Sequence, residues 1–307
     1  MSSKAYELLS QIKDICIVDG ITEDLKILKM MNLVQWDIYN TSHRWRPLEG
    51  YPTVTTTDGT SYVVAPSTLA MIYDVTQTST SPYYKLEFVQ VQNFHELVPQ
   101  PSQYAEGPPR FYTWWGGRFW LFPIPDATYT LTVYGYLKPV NMKLYTTGTA
   151  AHSSTTVTGT FTYFSNNANV DTTMFYAYQG DVRSDGTYPW SSISAVTDND
   201  TMTISTYSGS SGSATVAYAA SSASSFTEDF DLLLVYGTSI MYGGRLREFD
   251  SKLMEWLIAG YAKTLGALVD TQTTYPDYTP ILEDFSPTRG KMFRGEEYKY
   301  PFIMGVQ

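Results

Sequence analysis

The 307 residues carry a net charge of −10 and have a pI near 4.7, which argues against a protein that grips nucleic acid with a basic surface. A hydrophobic content of 43% is typical of a folded chain and excludes a disordered one. The lone cysteine, Cys16, excludes an intrachain disulfide, and no stretch is long and apolar enough to predict a membrane span.

Two helices are predicted at the start of the chain. Apolar residues recur at helical spacing over residues 3–18, and Cys16 lies on that apolar side as an expected buried thiol. A second helix is predicted to begin at Thr22, which is a good N-cap. Its apolar stripe from Ile27 to Ile38 is expected to bury against another helix.

The residues after the second helix predict a change to β-structure. The cluster His43-Arg44-Trp45-Arg46-Pro47 either docks on an acidic neighbour or uses Trp45 to anchor the helix on the sheet, and the anchor is the simpler interpretation. Asp58-Gly59 between two β-like runs predicts a hairpin. Thr68–Val75 fits a short helix or a strand, and Lys85–Val91 alternates as a strand with one wet face.

The stretch from Phe111 to Pro139 is expected to hold the centre of the first sheet. Gly116-Gly117 between two aromatic runs predicts a tight hairpin. After Leu121-Phe-Pro-Ile-Pro-Asp126, where prolines interrupt strand pairing, a Tyr-rich strand runs to Tyr136-Leu-Lys-Pro139. Because both faces of this strand are bulky, we expect it in the middle of a sheet, or between a sheet and a neighbouring subunit.

The order of these three features resembles the core of the head-to-tail adaptor proteins of short-tailed bacteriophages. Those proteins place N-terminal helices before such a sheet and a helical pair after it. The resemblance covers roughly the first half of this chain and the segment from Ser225 to about Asp270. It implies a virion protein of the phage neck or tail, made in the host cytoplasm, that forms a ring, usually a dodecamer, below the portal. It implies no catalytic residue.

The composition shifts after Pro139. Ser, Thr, Gly, Ala and Tyr dominate residues 146–225, and no lysine occurs between Lys143 and Lys252. Short alternating runs separated by turn signals predict a small β-sandwich or barrel. We expect this region to be a domain inserted into the first one.

The chain then returns to helical patterns. Ser225 and Glu228 fit a capping box, which predicts a buried helix over Phe230–Tyr236. Gly243-Gly244 is expected to end that helix, and a second amphipathic helix follows as far as Leu268.

The end of the chain is predicted to be an extended arm. Its prolines forbid long helices, yet its spaced aromatic residues need a surface on which to bury. The resemblance implies that this surface is the portal. The predicted docking residues of the arm are Tyr275, Tyr278, Phe285, Arg289, Phe293, Tyr298, Tyr300 and Phe302. The interface aromatics predicted elsewhere are Trp45, Trp114, Trp115 and Trp120.

These patterns together predict an α+β fold. N- and C-terminal helices pack with an antiparallel sheet, and the chain adds an inserted all-β, sandwich-like domain and an extended C-terminal arm. The predicted divisions are 1–145 for the first part of the adaptor core, 146–225 for the insert, 226–270 for the helical pair and 271–307 for the arm.

No catalytic, cofactor or metal site is predicted. The three histidines lie in different segments with no ligand-like spacing. Asp181–Gly186 and Asp198–Asp200 fit turns better than calcium loops, and Gly290-Lys291 lacks the pattern of a phosphate loop. We therefore expect a protein that is not an enzyme and needs no cofactor.

The predicted function is that of a structural adaptor ring beneath the portal. The ring would extend the DNA channel, let DNA pass during ejection without sequence-specific binding, and attach tail components. The expected partners are further copies of the chain, the portal protein and tail nozzle or tail fibre proteins, with no membrane involved. The alternative is a receptor- or glycan-binding tail module, in which Trp114, Trp115, Trp120 and Trp190 serve as sugar platforms.

Overall fold

A computed structural model of the chain describes residues 3–272, apart from 43, 80, 100–103, 182, 185, 208, 210–214 and 247–248. Its helices are α1 (Ala5–Cys16), α2 (Ile21–Thr41), α3 (Val91–Leu97), α4 (Asp231–Gly243) and α5 (Ser251–Gln272). The strands of the first half are β1 (Glu49–Gly50), β2 (Thr53–Thr55), β3 (Tyr62–Val64), β4 (Leu69–Gln77), β5 (Tyr84–Lys85), β6 (Glu87–Phe88), β7 (Phe111–Trp115), β8 (Arg118–Phe122) and β9 (Thr130–Leu137). The later strands are β10 (Leu144–Tyr145), β11 (Thr149–Ser153), β12 (Thr156–Thr160), β13 (Met174–Tyr178), β14 (Ser191–Val196), β15 (Thr201–Ile204) and β16 (Tyr218–Ser222).

The long helices pack around α4, which contacts α1, α2 and α5. Their shared core contains the apolar stripes predicted for α1 and α2, together with Phe226, Phe230 and Leu233 from the start of the helical pair. Cys16 is buried in this core, as expected, and burial raises the pKa of its thiol. The predicted buried helix is therefore confirmed as α4.

The capping box predicted at Ser225 is wrong. The backbone N–H of Val140 donates to Ser225 Oγ at 2.9 Å, so this side chain joins the helical region to the segment after β9. A 3₁₀ turn over Glu228–Phe230 precedes α4, and the helix begins at Asp231. The Ser225 hydroxyl accepts from a residue distant in sequence and does not cap the helix, because polar groups near a buried core form hydrogen bonds with whichever partner is close in space.

Two sheets share the core of the first β region. A five-stranded sheet has the order β1-β9-β4-β5, with β2 also paired to β9, and a four-stranded sheet has the order β3-β8-β7-β6. Leu69, Val75, Leu131 and Val133 of the first sheet form one apolar cluster with the inward residues of the second. All pairs in these two sheets are antiparallel except β6–β7, which is parallel.

The hairpin predicted at Asp58-Gly59 is wrong. The turn is present, with a positive φ of 69° at Gly59, but β2 pairs with β9 and β3 pairs with β8. The turn therefore carries the chain from one sheet to the other. A turn sequence restricts the local backbone conformation. It does not determine which strands pair, because a strand can pair with any sheet that has a free edge nearby.

The segment Lys85–Val91 is not one strand. β5 and β6 pair into different sheets on either side of Leu86, which is fully buried between them, and Val91 begins α3. The segment Thr68–Val75, for which helix and strand both remained open, lies mainly in the long strand β4. The Tyr-rich strand β9 lies in the middle of the five-stranded sheet, as predicted.

The strands between residues 144 and 222 form one seven-stranded sheet with the order β10-β16-β13-β14-β15-β12-β11. Ala150 of β11 also pairs with Val216, just before β16, through bonds of 2.8 and 3.1 Å. The sheet thus curls round to meet itself, and its core holds Phe164, Tyr176 and Tyr218. This pairing fits a small barrel and not the sandwich-like arrangement; the independence of the insert stays a prediction.

The barrel is joined to α1 by polar and aromatic contacts. Trp190 Nε1 donates to Glu7 Oε1 at 2.8 Å, and Gln179 Nε2 donates to the Tyr6 hydroxyl at 2.9 Å. The Lys4 ammonium lies 3.5 Å from the centre of the Phe175 ring, a cation–π contact. Trp190 therefore serves as a joint between the barrel and the helices, and not as an open sugar platform.

Candidate functional site

The aromatic hairpin at Gly116-Gly117 is confirmed. The two glycines have φ values of 62° and 72°, which a side chain would strain, and they connect β7 directly to β8. Five residue pairs face each other across the hairpin, from Phe111 opposite Phe122 to Trp115 opposite Arg118. Because side chains alternate along a strand, this register decides which aromatic rings share a face.

One side of the hairpin forms core. Tyr112, Phe119 and Leu121 are buried against the five-stranded sheet. Trp114 is opposite Phe119 and therefore lies on this same side, at the tip of the hairpin, where it stays 37% exposed. The predicted set Trp114, Trp115 and Trp120 is thus divided, because Trp114 points away from the other two.

The opposite side of the hairpin, which we call the aromatic face, consists of Tyr62, Val64, Trp115, Arg118 and Trp120. Pairing of β3 with β8 places Tyr62 opposite Trp120 and Val64 opposite Arg118. The rings of Trp115 and Trp120 lie 6.4 Å apart, and those of Tyr62 and Trp120 lie 5.4 Å apart. The Arg118 guanidinium lies 4.3 Å from the centre of the Tyr62 ring.

The aromatic face has the chemistry of a protein contact surface. Trp115 is 56% exposed and Val64 is 64% exposed. Trp120 Nε1 is buried but donates to no residue in the described part of the chain. A buried N–H without an acceptor is destabilising, so a partner that supplies an acceptor would form a favourable hydrogen bond with it. Trp, Tyr and Arg are the residue types enriched where interfaces bind tightly.

Trp45 does not belong to an exposed surface, and its place among the interface aromatics is wrong. Its side chain is fully buried, and its Nε1 donates to the Ile38 carbonyl at 2.8 Å. Its ring lies 5.1 Å from that of Phe230 and 6.4 Å from that of Phe226, edge to face. Trp45 therefore anchors α2 on the helical core, which is close to the simpler of the two interpretations.

A second exposed aromatic group was missed from the sequence. Tyr51, Tyr73 and Tyr134 are exposed on the five-stranded sheet, and the rings of Tyr51 and Tyr134 lie 6.4 Å apart. Tyr73 lies 5.0 Å from Tyr136, and burial raises the pKa of both hydroxyls. The bulky residues on both faces of β9 indicated an aromatic surface here. Tyr51 and Tyr73, however, come next to Tyr134 and Tyr136 only because the chain segments that carry them pair with β9.

A buried carboxyl lies where α4 meets the N-terminal segment. Ser3 Oγ donates to Asp231 Oδ2 in a short hydrogen bond. The pKa of Asp231 is raised to about 6, chiefly by burial; the Ser3 hydrogen bond opposes the rise, and the negative charges of Glu228 and Glu7 contribute to it. A carboxyl whose pKa is raised in this way suits a pH-dependent structural contact.

Several predicted sites lie wholly or partly outside the described residues. All eight docking residues of the arm fall beyond residue 272, and the segment Asp181–Gly186 is described only in part. Asp198 is part of a turn in which its Oδ1 accepts from the Asp200 backbone N–H at 2.8 Å. Within residues 3–272, gaps aside, no group of three His, Cys, Asp or Glu side chains is arranged to hold a metal. None of the described helices has the length and apolar character needed to cross a membrane.

Comparison with known proteins identifies the family of the chain. No curated protein matches it. A model of the SU10 adaptor protein family matches residues 3–164, which include α1, α2, both sheets of the first β region and the start of the barrel. The match ends inside the predicted insert and does not reach the helical pair. Because it spans more than half of the 307 residues, the chain belongs to the SU10 adaptor protein family and has the structural role of a phage adaptor.

Proposed function

We propose that this chain forms a closed ring between the portal and the tail of a phage. The observation that carries the proposal is the match to the adaptor family over residues 3–164. The proposed role requires no catalysis, because a ring acts by holding its neighbours in a fixed geometry. Each copy would use two different surfaces for its two neighbours, since only such a contact closes into a ring of more than two subunits.

The exposed aromatic surfaces support this proposal. The aromatic face and the Tyr51–Tyr134 pair lie on different sheets of the first β region. Surface aromatics that are grouped, and not scattered singly, are typical of protein contact sites. We assign them to contacts with neighbouring copies or with tail nozzle or fibre proteins.

The acidic charge supports passage of DNA through the ring. With a net charge of −10, the chain would repel a phosphate backbone and not hold it. The barrel has few positive charges to bind DNA, since residues 144–225 contain no lysine and one arginine, Arg183. We therefore propose that DNA slides past the ring during ejection, and that the barrel faces tail components.

The ring is tested by mixing the chain with the portal of its own phage. Light scattering and negative-stain images are expected to reveal a closed ring that extends the portal. A chain that stays monomeric and leaves the portal unchanged would refute the proposal.

The docking arm needs a separate variant. Deletion of residues 277–307 is expected to leave the circular dichroism spectrum and the melting temperature unchanged but to abolish attachment to the portal. If the shortened chain fails to fold, the arm is part of the core and the docking proposal fails.

Binding of a receptor glycan is the second candidate function. Trp115 favours it, because its ring is open to solvent and Arg118 lies beside it with hydrogen-bond donors. Trp190 does not, since its indole N–H is hydrogen-bonded to Glu7. Tryptophan fluorescence titrated with a panel of saccharides tests this function, and the absence of any saturable change would dismiss it.

A further inference from the structure

Strand β3 has an open edge. It is the last strand on one side of the four-stranded sheet, with β8 as its neighbour. The Ala65 backbone N–H donates to the Gly117 carbonyl at 3.0 Å, so the odd-numbered residues here direct their backbone groups toward β8. Tyr62 and Val64 direct theirs outward, where no residue in the described part of the chain bonds them. Such an edge can accept an extended segment as a further strand.

The same two residues connect this edge to the aromatic face. Tyr62 lies opposite Trp120 and Val64 lies opposite Arg118, and the side chains of opposite residues share a face. A strand added beyond β3 would therefore extend the aromatic face with every second side chain of its own. Trp120 Nε1, which has no acceptor among the described residues, would gain from one on that strand. The occupant that fits has aromatic or apolar side chains at alternate positions and a hydrogen-bond acceptor among them.

The predicted arm, which lies outside the described residues, contains a segment with this pattern. Residues 298–306 read Tyr-Lys-Tyr-Pro-Phe-Ile-Met-Gly-Val. Every even-numbered position is aromatic or apolar, namely Tyr298, Tyr300, Phe302, Met304 and Val306. A period of two is typical of a strand, and a tyrosine hydroxyl accepts a hydrogen bond as well as donating one. The sequence of this segment therefore supplies both the alternation and the acceptor.

Residues 273–297 give this segment the reach to contact a neighbouring copy. They follow α5, whose last residue is Gln272, and fully extended they span up to about 85 Å. A compact chain of this length is only about 50 Å across. The contact would join a strand of one copy to a sheet edge of the next. These are two different surfaces, as a ring of more than two subunits requires.

Pro301 selects the direction of the added strand. In an antiparallel pair, the residues that exchange backbone bonds with Tyr62 and Val64 also place their side chains on the aromatic face. If those residues are even-numbered, the Pro301 nitrogen lies on the outer edge, where the missing N–H has no partner to lose. A parallel strand with the same side chains on the face would direct the Pro301 backbone at β3, where a donor is needed. The sequence therefore fits the antiparallel arrangement.

Charge favours the same occupant. Arg118 is exposed and forms no ion pair with any residue that the structure describes. Glu296 comes just before the alternating segment, also at an even-numbered position. An added strand would therefore bring the Glu296 carboxylate to the side of the sheet on which Arg118 lies. Opposite charges beside an apolar contact favour one register over the others.

We propose that the arm of one copy adds an antiparallel strand to β3 of the next copy. Tyr298 lies opposite Val64 in this arrangement. Tyr300 lies opposite Tyr62, in line with Trp120, so that its hydroxyl supplies the acceptor that Trp120 Nε1 lacks. The earlier residues of the arm remain for the portal. This inference rests on the proposed ring and assigns the residues of one of its subunit contacts.

Cysteine cross-linking tests the position of the added strand. Full-length chains carrying Val64→Cys or Tyr298→Cys are mixed in equal amounts with the portal of the same phage and oxidised mildly in air. A disulfide between two copies, read on a non-reducing gel, is expected because the Cα atoms of opposite residues lie about 5.5 Å apart, within disulfide range. The natural Cys16 is buried and does not compete.

The neighbouring positions in the arm provide matched controls. Glu297→Cys and Lys299→Cys flank Tyr298 but place their thiols on the other face of the added strand. Each is mixed with Val64→Cys in the same way and is expected to give no disulfide. The alternation of product and no product along the arm is the signature of a strand.

A competing peptide tests the backbone pairing on the natural chain. A synthetic peptide of residues 296–306 is expected to inhibit ring assembly on the portal, followed by light scattering. Methylation of the Tyr300 backbone nitrogen removes a donor directed at β3, so about tenfold more of that peptide should be needed. The same methylation at Lys299 alters only the outer edge and should leave the inhibition unchanged. Equal inhibition by the two methylated peptides would refute the pairing.

The outcomes separate the two proposals. If the natural chain forms no ring with its portal, the proposed function fails and this inference fails with it. If the variants form the ring without the disulfide, or if all three arm cysteines cross-link equally, the ring stands and the added strand is overturned. A disulfide that forms only when Val64→Cys and Tyr298→Cys are in one chain shows pairing within a copy, which overturns the contact between copies. If a cysteine variant forms no ring, the peptide result on the natural chain decides.

Discussion

Replacement of Trp45 distinguishes a core role from an interface role. We consider Trp45→Ala and Trp45→Phe, with Trp115→Ala as the matched control on the aromatic face. Trp45 is fully buried between α2 and the residues that precede α4, whereas Trp115 is 56% exposed. We therefore expect replacement of Trp45 to lower the stability of the fold and replacement of Trp115 to leave it nearly unchanged.

The magnitude follows from what the side chain loses. Burial of about 200 Å² of aromatic surface at about 25 cal/mol per Å² corresponds to about 5 kcal/mol. Aromatic-to-alanine substitutions in cores cost about 3–5 kcal/mol, so we expect about 4 kcal/mol for Trp45→Ala. Trp45→Phe keeps most of the contact with Phe230 but leaves the Ile38 carbonyl without its 2.8 Å donor, for an expected loss of about 2 kcal/mol.

The assay is urea unfolding followed by circular dichroism at the helical minimum, because seven tryptophans complicate fluorescence. Trp115→Ala is expected to change the free energy of unfolding by less than about 1 kcal/mol. If Trp45→Ala is as stable as the natural chain and instead loses ring assembly, Trp45 is an interface residue and the assignment to the core is refuted.

Three further predictions concern the joint, the buried carboxyl and the central strand. Because burial raises the pKa of Asp231 to about 6, the native state binds its proton more tightly than the unfolded state, and stability falls as pH rises from about 4 to about 6. Asp231→Asn should raise the urea midpoint at pH 7 and flatten that slope; an unchanged slope would contradict the assignment. Trp190→Phe removes the 2.8 Å bond to Glu7 and should cost about 1.5 kcal/mol, and an unaltered urea midpoint would show that the joint is dispensable. Gly135→Ala places a Cβ 2.0 Å from a backbone carbonyl oxygen and should cost about 3 kcal/mol in the same assay, whereas Gly107→Ala, which meets nothing within 4 Å, should be neutral; equal effects would refute the packing argument.

Local patterns in the sequence determined the four long helices, the aromatic hairpin and the central strand, but not the short helix α3. The helical period of α1 and α2, the Gly116-Gly117 pair and the alternation along β9 each act over a few neighbouring residues. Such signals depend on backbone conformations that the residues themselves favour. The order of these features along the chain also carried the resemblance to phage adaptors, which the family match confirms.

Apart from the β7–β8 hairpin, only the tertiary structure decided which strands pair, and it decided which aromatic side chains are exposed to solvent. The turn at Asp58-Gly59 formed, but the strands on either side of it do not pair with each other. Because backbone hydrogen bonds are the same for every strand, β2 could pair with β9 and β3 with β8 instead. Trp45 and Trp115 are the same residue type, yet one is core and the other is surface. The burial of these two tryptophans depends on how the sheets and helices pack around them, which their neighbours in the sequence do not specify.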